Sequence, residues 1–119
     1  MKKQTKPLTD DDLKKMVFKR LPQVQFTDDG EKITIIREQN HWIQRFLRKL
    51  AFKIPEKTYL ELDDYGSFVF RLLDGQHNVY EIGQLLGEQY DEANEFLYNR
   101  LLLYLHHLDV NEKLIEKIQ

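Results

Sequence analysis

The chain has 119 residues, of which 41% are hydrophobic and 32% are charged, so it predicts one globular domain rather than a disordered chain. It has no cysteine, which excludes a disulfide framework, a thiolate metal site and a cysteine nucleophile. No apolar run approaches the roughly 18 residues of a membrane span, and no signal-peptide pattern follows the basic start. We therefore expect a cytoplasmic protein.

The net charge of −2 is unevenly distributed along the chain. Residues 1–57 carry 14 Lys and Arg against 8 Asp and Glu, whereas residues 58–110 carry 2 against 10. Because the second half repels phosphate, any nucleic-acid site is expected in the first half.

The first predicted element follows Thr9, which has the character of a helix N-cap with acidic residues in the next turn. Leu13, Met16 and Val17 then recur at helical spacing, but Pro22 ends the run. Residues 1–21 are therefore predicted to be an N-terminal arm or a short helix.

Three strands are predicted next. Residues 24–27 and 33–37 are rich in β-branched and aromatic residues and flank an Asp-Gly turn at Gly30, which indicates a β-hairpin. Residues 58–62 alternate between polar or aromatic and aliphatic side chains and predict a third strand.

Between the second and third strands, residues 38–57 predict an inserted basic amphipathic helix. Its apolar stripe has a period of 3.6 residues over residues 42–53, and Pro55 stops it. The remaining surface carries the basic side chains of Arg45, Arg48, Lys49 and Lys53. The helix is interpreted as a solvated cover over the sheet, with a partner or membrane-surface contact as the alternative.

The chain from Asp63 onward has helical periodicity. One helix begins at Asp63 or Asp64, and a second follows a capping box formed by Asn78 and Glu81. The last helix is predicted from about Asp91 to Leu108, with Leu97, Leu101, Tyr104, Leu105 and Leu108 on its core face.

This order of elements predicts an α+β winged helix-turn-helix, with a small three-stranded antiparallel sheet followed by three helices. Residues 74–77 are expected to be a tight turn between the first two of these helices. The domain is placed at residues 22–110, and residues 111–119 are expected to be a C-terminal tail.

The side chains provide little support for catalysis. His106 and His107 are adjacent, so on a helix they point about 100° apart and cannot chelate one metal as an i,i+4 pair does. The chain has no zinc-protease helix motif, phosphate-binding loop or serine elbow. We therefore predict no enzyme, no cofactor and no metal site.

Two motifs carry a resemblance to a known family. Leu62 to Phe70 has the sequence Leu-Asp-Asp-Tyr-Gly-Ser-Phe-Val-Phe, and Leu73 to Ile82 has Leu-Asp-Gly-Gln-His-Asn-Val-Tyr-Glu-Ile. Together with the closing run from Arg100 to Leu108, these segments resemble the PqqD-like family. Its members are precursor-peptide recognition elements first known from pyrroloquinoline quinone biosynthesis, and Asn78 replaces their usual threonine as an N-cap.

The resemblance implies a non-catalytic peptide-binding protein. Such domains hold the leader of a ribosomal precursor peptide as a strand added to the third strand, beside the last helix. They present it to a modifying enzyme, often a radical SAM protein. The strand residues implied are Lys57, Thr58, Tyr59, Leu60, Glu61 and Leu62, with Tyr59 and Glu61 on one face and Leu60 and Leu62 on the other. On the last helix, the residues off the core face are Phe96, Asn99, Leu102, Leu103 and His106, which are candidate peptide contacts.

Two other functions are weighed against peptide binding. A DNA-binding winged-helix regulator would use the basic helix 42–53, but the helix from Asn78 to Tyr90 has Glu81 and Glu88 and no Lys or Arg. Its charge therefore argues against nucleic acid in the major groove. A structural assembly partner that retains the fold is the second alternative, and a homodimer through the last helix stays open.

Overall fold

A computed structural model of the protein describes residues 8–38, 49, 57–90 and 96–119. In chain order its elements are α1 (Asp10–Lys14), β1 (Val17–Arg20), β2 (Gln25–Asp28), β3 (Ile33–Glu38), β4 (Lys57–Glu61), α2 (Asp64–Leu72), β5 (Asp74–Asn78), α3 (Val79–Tyr90), α4 (Leu97–His106), a π-helical turn (His107–Asn111) and β6 (Ile115–Lys117). None of the helices in these ranges has the length and apolar content that crossing a bilayer requires.

The chain divides into two compact units. The middle unit is Pro22–Ser67, and the terminal unit combines Met1–Leu21 with Phe68–Gln119. Each unit contains a three-stranded antiparallel sheet, with strand order β2-β3-β4 in the middle unit and β5-β1-β6 in the terminal unit. The α+β class is confirmed, whereas the winged-helix arrangement stays a prediction.

The predicted hairpin is formed by β2 and β3, which pair antiparallel from Gln25 opposite Ile36 to Asp28 opposite Ile33. The Asp28 carboxylate accepts a hydrogen bond from the Gly30 N–H at 2.9 Å. Gly30 has a φ of 93°, a left-handed conformation that a residue without a Cβ adopts at little cost. The Asp-Gly signal in the sequence therefore identified this turn correctly.

The sheet of the terminal unit was not predicted. Its central strand, β1, pairs with β5 on one side and with β6 on the other. The helical spacing inferred through Val17 is wrong, because Val17 and Phe18 are buried strand residues. Residues 74–77 belong to a strand rather than only to a turn, and the C-terminal segment contains β6. Strands of three to five residues offer too few positions for alternation to identify them.

Two helices of the terminal unit begin with reciprocal capping boxes. The Thr9 hydroxyl accepts the Asp12 N–H at 3.2 Å while the Asp12 carboxylate accepts the Thr9 N–H at 2.9 Å. At α3 the Asn78 side chain accepts the Glu81 N–H at 2.8 Å, and the Glu81 carboxylate accepts the Asn78 N–H at 2.9 Å. Both pairs satisfy backbone donors that a helix start leaves open. The sequence predicted the Asn78–Glu81 pair as a capping box, and it predicted Thr9 only as an N-cap.

The two ends of α2 are stabilised by different side chains. At its start, the Asp63 carboxylate accepts the Gly66 N–H at 2.7 Å, which confirms the predicted acidic cap. At its end, the Arg20 guanidinium donates to the carbonyl oxygens of Phe70 at 2.8 Å and Arg71 at 3.1 Å. A positive charge at carbonyls of the last turn is favourable because the helix dipole is negative there.

The core of the terminal unit comes from α2, α3, α4 and the segment after them. Three of the five predicted core residues of the last helix, Leu101, Leu105 and Leu108, are fully buried, whereas Leu97 and Tyr104 are half-buried. They are joined by Phe70, Leu73, Val79, Ile82 and Ile115, which are also fully buried. α4 spans Leu97–His106 and continues into the π-helical turn, while residues 91–95 of the predicted helix lie outside the described residues.

A glycine allows α3 and α4 to approach closely. A Cβ on Gly83 would overlap the ring of Tyr98. The Tyr98 hydroxyl donates to the Tyr80 carbonyl oxygen at 2.8 Å and accepts from Gln84 Nε2 at 3.2 Å, and the Tyr80 and Tyr98 rings stack with centroids 6.1 Å apart. Burial raises the pKa of Tyr98, which further favours the protonated hydroxyl that donates this hydrogen bond. The ring is thus held in the space that Gly83 leaves.

We expect Gly83→Ala to lower the free energy of unfolding by about 1–3 kcal/mol, because the added methyl group displaces the Tyr98 ring. This loss exceeds the roughly 1 kcal/mol by which alanine improves helix propensity over glycine. Urea denaturation measures it. The double variant Gly83→Ala with Tyr98→Ala should lose less stability than the sum of the single variants, and simple additivity would contradict this contact.

A carboxylate at the start of β5 organises its turn. Asp74 Oδ1 accepts the N–H groups of Gln76 at 2.8 Å and His77 at 3.1 Å, and the His77 ring nitrogen lies 3.0 Å from Asp74 Oδ2. Burial acts to raise the pKa of Asp74, but these hydrogen bonds outweigh it and the pKa lies below its usual value. The ionised carboxylate therefore stabilises the folded state.

Because the pKa of Asp74 is lower in the folded than in the unfolded chain, its stabilising contribution is complete above the unfolded value of about 3.9. It is lost as the pH falls through the lower folded value. Asp74→Asn retains the Oδ1 acceptor but does not titrate. Between pH 5 and pH 2 we expect the free energy of unfolding of the variant, measured with urea, to fall less than that of the unaltered chain. Equal losses would contradict this role.

Candidate functional site

The candidate site is the outer edge of β4. This strand ends the sheet of the middle unit and pairs antiparallel with β3, from Thr34 opposite Glu61 to Glu38 opposite Lys57. Among the residues that the structure describes, no strand pairs with the other side of β4. An edge of this kind can accept a further strand through its backbone groups.

The hydrogen bonding at the end of the sheet identifies the backbone groups that face outward. The Leu62 N–H donates to the Ile33 carbonyl oxygen at 2.8 Å, so the backbone of Leu62 faces β3. Backbone groups alternate sides along an antiparallel strand, and those of Leu60 and Thr58 therefore also face β3. The N–H and C=O groups of the intervening residues Lys57, Tyr59 and Glu61 face the outer edge.

The side chains of β4 alternate as the sequence predicted. Leu60 is half-buried and Leu62 is only 6% exposed, on the face that also holds Ile33 and Ile35. Tyr59 is 66% exposed and Glu61 is exposed, on the opposite face. The two faces inferred from the sequence are therefore separated correctly, and the face of Leu60 and Leu62 is the buried one.

A buried serine on α2 completes the pairing of β3 with the segment after β4. The Ile33 N–H donates to Ser67 Oγ at 2.8 Å, and Ser67 Oγ donates to the Leu62 carbonyl oxygen at 3.2 Å. The hydroxyl thus connects two backbone groups that would bond directly in a regular antiparallel pair. Ser67 was not among the residues predicted for the site, and its only signal in the sequence is a small hydroxyl residue just before the apolar run Phe68 to Phe70.

The candidate residues on the last helix share one face of α4. Phe96 is 64% exposed and Leu103 is 72% exposed, and Asn99 and His106 are exposed as well. Their spacing of three and four residues places them along one stripe, whereas Leu102 is half-buried at its flank. This stripe belongs to the terminal unit and β4 to the middle unit. The role of both groups in peptide binding stays a prediction.

The remaining candidates contribute less to this site. The basic helix predicted for residues 42–53 lies outside the described residues except for Lys49, which is exposed. In the described part of the chain, no group of three or more His, Asp or Glu side chains is placed to hold a metal ion. The candidate site therefore consists of a strand edge and of charged, polar, aromatic and aliphatic side chains.

Comparison with known proteins identifies the family. The model of the family described as Coenzyme PQQ synthesis protein D (PqqD) matches residues 43–112. Since this match covers more than half of the chain, the protein belongs to the PqqD family, and the resemblance found in the sequence is confirmed. Neither a curated protein nor a solved structure matches the chain.

Members of the PqqD family are non-catalytic accessory proteins of pyrroloquinoline quinone synthesis. In general they bind a peptide and act with a modifying enzyme. The matched segment contains β4, α2, β5, α3 and α4, whereas β1, β2, β3 and β6 lie outside it. Both candidate groups of residues are therefore within the matched part of the chain.

The contribution of the Ser67 hydrogen bonds to stability can be measured by removing the hydroxyl. We expect Ser67→Ala to lower the free energy of unfolding by about 1–3 kcal/mol, because two buried backbone groups lose their partner. Amide exchange at Ile33 should also become faster. Thr27→Ala, which removes a hydroxyl from an exposed position of β2, is the control and should change stability by less than about 0.5 kcal/mol. Equal effects of the two variants in urea denaturation would show that the bridge is unimportant.

Proposed function

We propose that this protein binds the leader segment of a ribosomally made precursor peptide by adding it as a strand to the outer edge of β4. The bound peptide is then presented to a modifying enzyme, such as a radical SAM protein. The observation that carries the proposal is the set of outward backbone groups at Lys57, Tyr59 and Glu61. We expect this activity in the cytoplasm, where precursor peptides are made.

Strand addition suits this edge for energetic reasons. Backbone hydrogen bonds contribute about 0.5–1.5 kcal/mol each, and they bind an extended peptide without demanding particular side chains. The edge is also preorganised, because β4 is already paired with β3 and the Ser67 bridge closes the end of that pairing. A rigid edge reduces the entropy that is lost when the peptide binds.

The side chains around the edge indicate how the peptide gains selectivity. Tyr59 stands on the exposed face and offers a ring against which a neighbouring side chain of the peptide can pack. Leu60 and Leu62 are directed to the other face and support the strand from the core side. The protein therefore contributes binding and orientation, while the chemistry belongs to the modifying enzyme.

The test is Tyr59→Pro. Proline removes the outward N–H of this residue and is tolerated on an edge strand when that N–H makes no bond within the sheet. The peptide captured by the tagged protein from its own cell lysate is identified, synthesised with a fluorescent label and titrated by anisotropy. We expect Tyr59→Pro to weaken its binding by about tenfold or more, which corresponds to at least one lost hydrogen bond and a steric conflict.

Tyr59→Val is the matched control, because it removes the same ring but keeps the N–H and a strand-favouring side chain. Circular dichroism establishes that both variants are folded. Undiminished binding by a folded Tyr59→Pro variant would contradict strand addition. Binding of DNA instead, lost between about 50 and 200 mM salt and on charge reversal of the predicted basic helix, would support the regulator alternative.

A further inference from the structure

The outer edge of β4 carries an ordered set of side chains. Lys57, Tyr59 and Glu61 share the backbone orientation toward the edge and are all exposed. They place a positive charge at one end of the strand, an aromatic ring in the middle and a negative charge at the other end. The edge therefore distinguishes the two ends of any strand that pairs with it.

The two ends of the strand differ in what lies opposite them on β3, since Lys57 at the basic end is opposite Glu38. Glu61 lies opposite Thr34 on β3, a neutral residue, and the exposed acidic residues Asp63 and Asp64 follow it. Glu61 forms no ion pair with any residue whose side chain the structure describes. The carboxylate at the end of β4 is thus available to a cation on an added strand.

The direction of an added strand follows from the sheet that it joins. Both pairings in the middle unit, β2 with β3 and β3 with β4, are antiparallel. Antiparallel pairs are slightly more stable per residue than parallel ones, and sheets of one kind are favoured over mixed sheets. An antiparallel ligand meets Glu61 first and Lys57 last.

We infer that, if the proposed function holds, the edge of β4 selects an extended peptide segment with the order basic–x–apolar–x–acidic. Its Lys or Arg lies opposite Glu61, its β-branched or aromatic residue opposite Tyr59, and its Asp or Glu opposite Lys57. Side chains directly opposite in an antiparallel pair lie about 4.5–5.5 Å apart at Cβ, where opposite charges attract and like charges repel. The charge order therefore sets both the register and the direction of the ligand.

Two synthetic peptides of identical composition test this inference. They are the capped heptapeptides Thr-Lys-Thr-Val-Thr-Glu-Thr and Thr-Glu-Thr-Val-Thr-Lys-Thr, titrated at low salt into the ¹⁵N-labelled full chain with amide shifts as the readout. We expect the first to bind roughly tenfold more tightly, because two opposed pairs change from attraction to repulsion in the second. The preference should shrink in 0.5 M salt, because the Debye length falls from about 10 Å at 0.1 M to about 3 Å at 1 M and exposed charges are then screened.

The matched variant is the double substitution Lys57→Glu with Glu61→Lys, which leaves composition and net charge unchanged. It should reverse the preference between the two peptides. Equal affinities, a preference that the double variant does not reverse, or no shift with either peptide would overturn the inference. The Tyr59→Pro experiment with the captured peptide decides the proposed function separately, since it depends on a backbone donor rather than on charge.

Discussion

The hydroxyl of Ser67 is the interaction on which the candidate site most depends. It connects the Ile33 N–H to the Leu62 carbonyl oxygen, at the point where β4 gives way to the start of α2. Because buried backbone groups without partners are costly, this bridge holds the end of the sheet closed while the chain changes from strand to helix. The outward row of β4 backbone groups has a defined direction only as long as this pairing holds.

The terminal unit shows a different constraint, in which remote parts of the chain meet in one sheet. β1 contacts β5 on one side and β6 on the other, so segments from both ends of the chain are joined to the connection between α2 and α3. Arg20 adds hydrogen bonds from β1 to the last carbonyls of α2. β1 and β6 lie outside the part of the chain that the PqqD family model matches. β1 pairs with β5, which lies inside the matched part, and β6 extends the same sheet on the other side of β1.

In this member of the PqqD family, the described residues leave the outer side of β4 without a partner strand. The edge of β4 and the exposed stripe of α4 use only backbone groups and common side chains. Such surfaces derive selectivity from register and charge order, since backbone hydrogen bonds alone do not distinguish peptides. This is the physical basis for the proposed peptide selection by Lys57, Tyr59 and Glu61.

Local signals in the sequence determined much of this protein. The hairpin at Gly30, the capping box of Asn78 and Glu81, the alternation along β4 and the family itself are all evident from neighbouring residues, because caps, turns and alternation act over a few positions. Tertiary structure alone decided the sheet of β1, β5 and β6, whose short strands are stabilised by partners far away in the chain. It also decided the role of Ser67, because a hydroxyl that bridges two distant backbone groups has no periodic pattern in sequence.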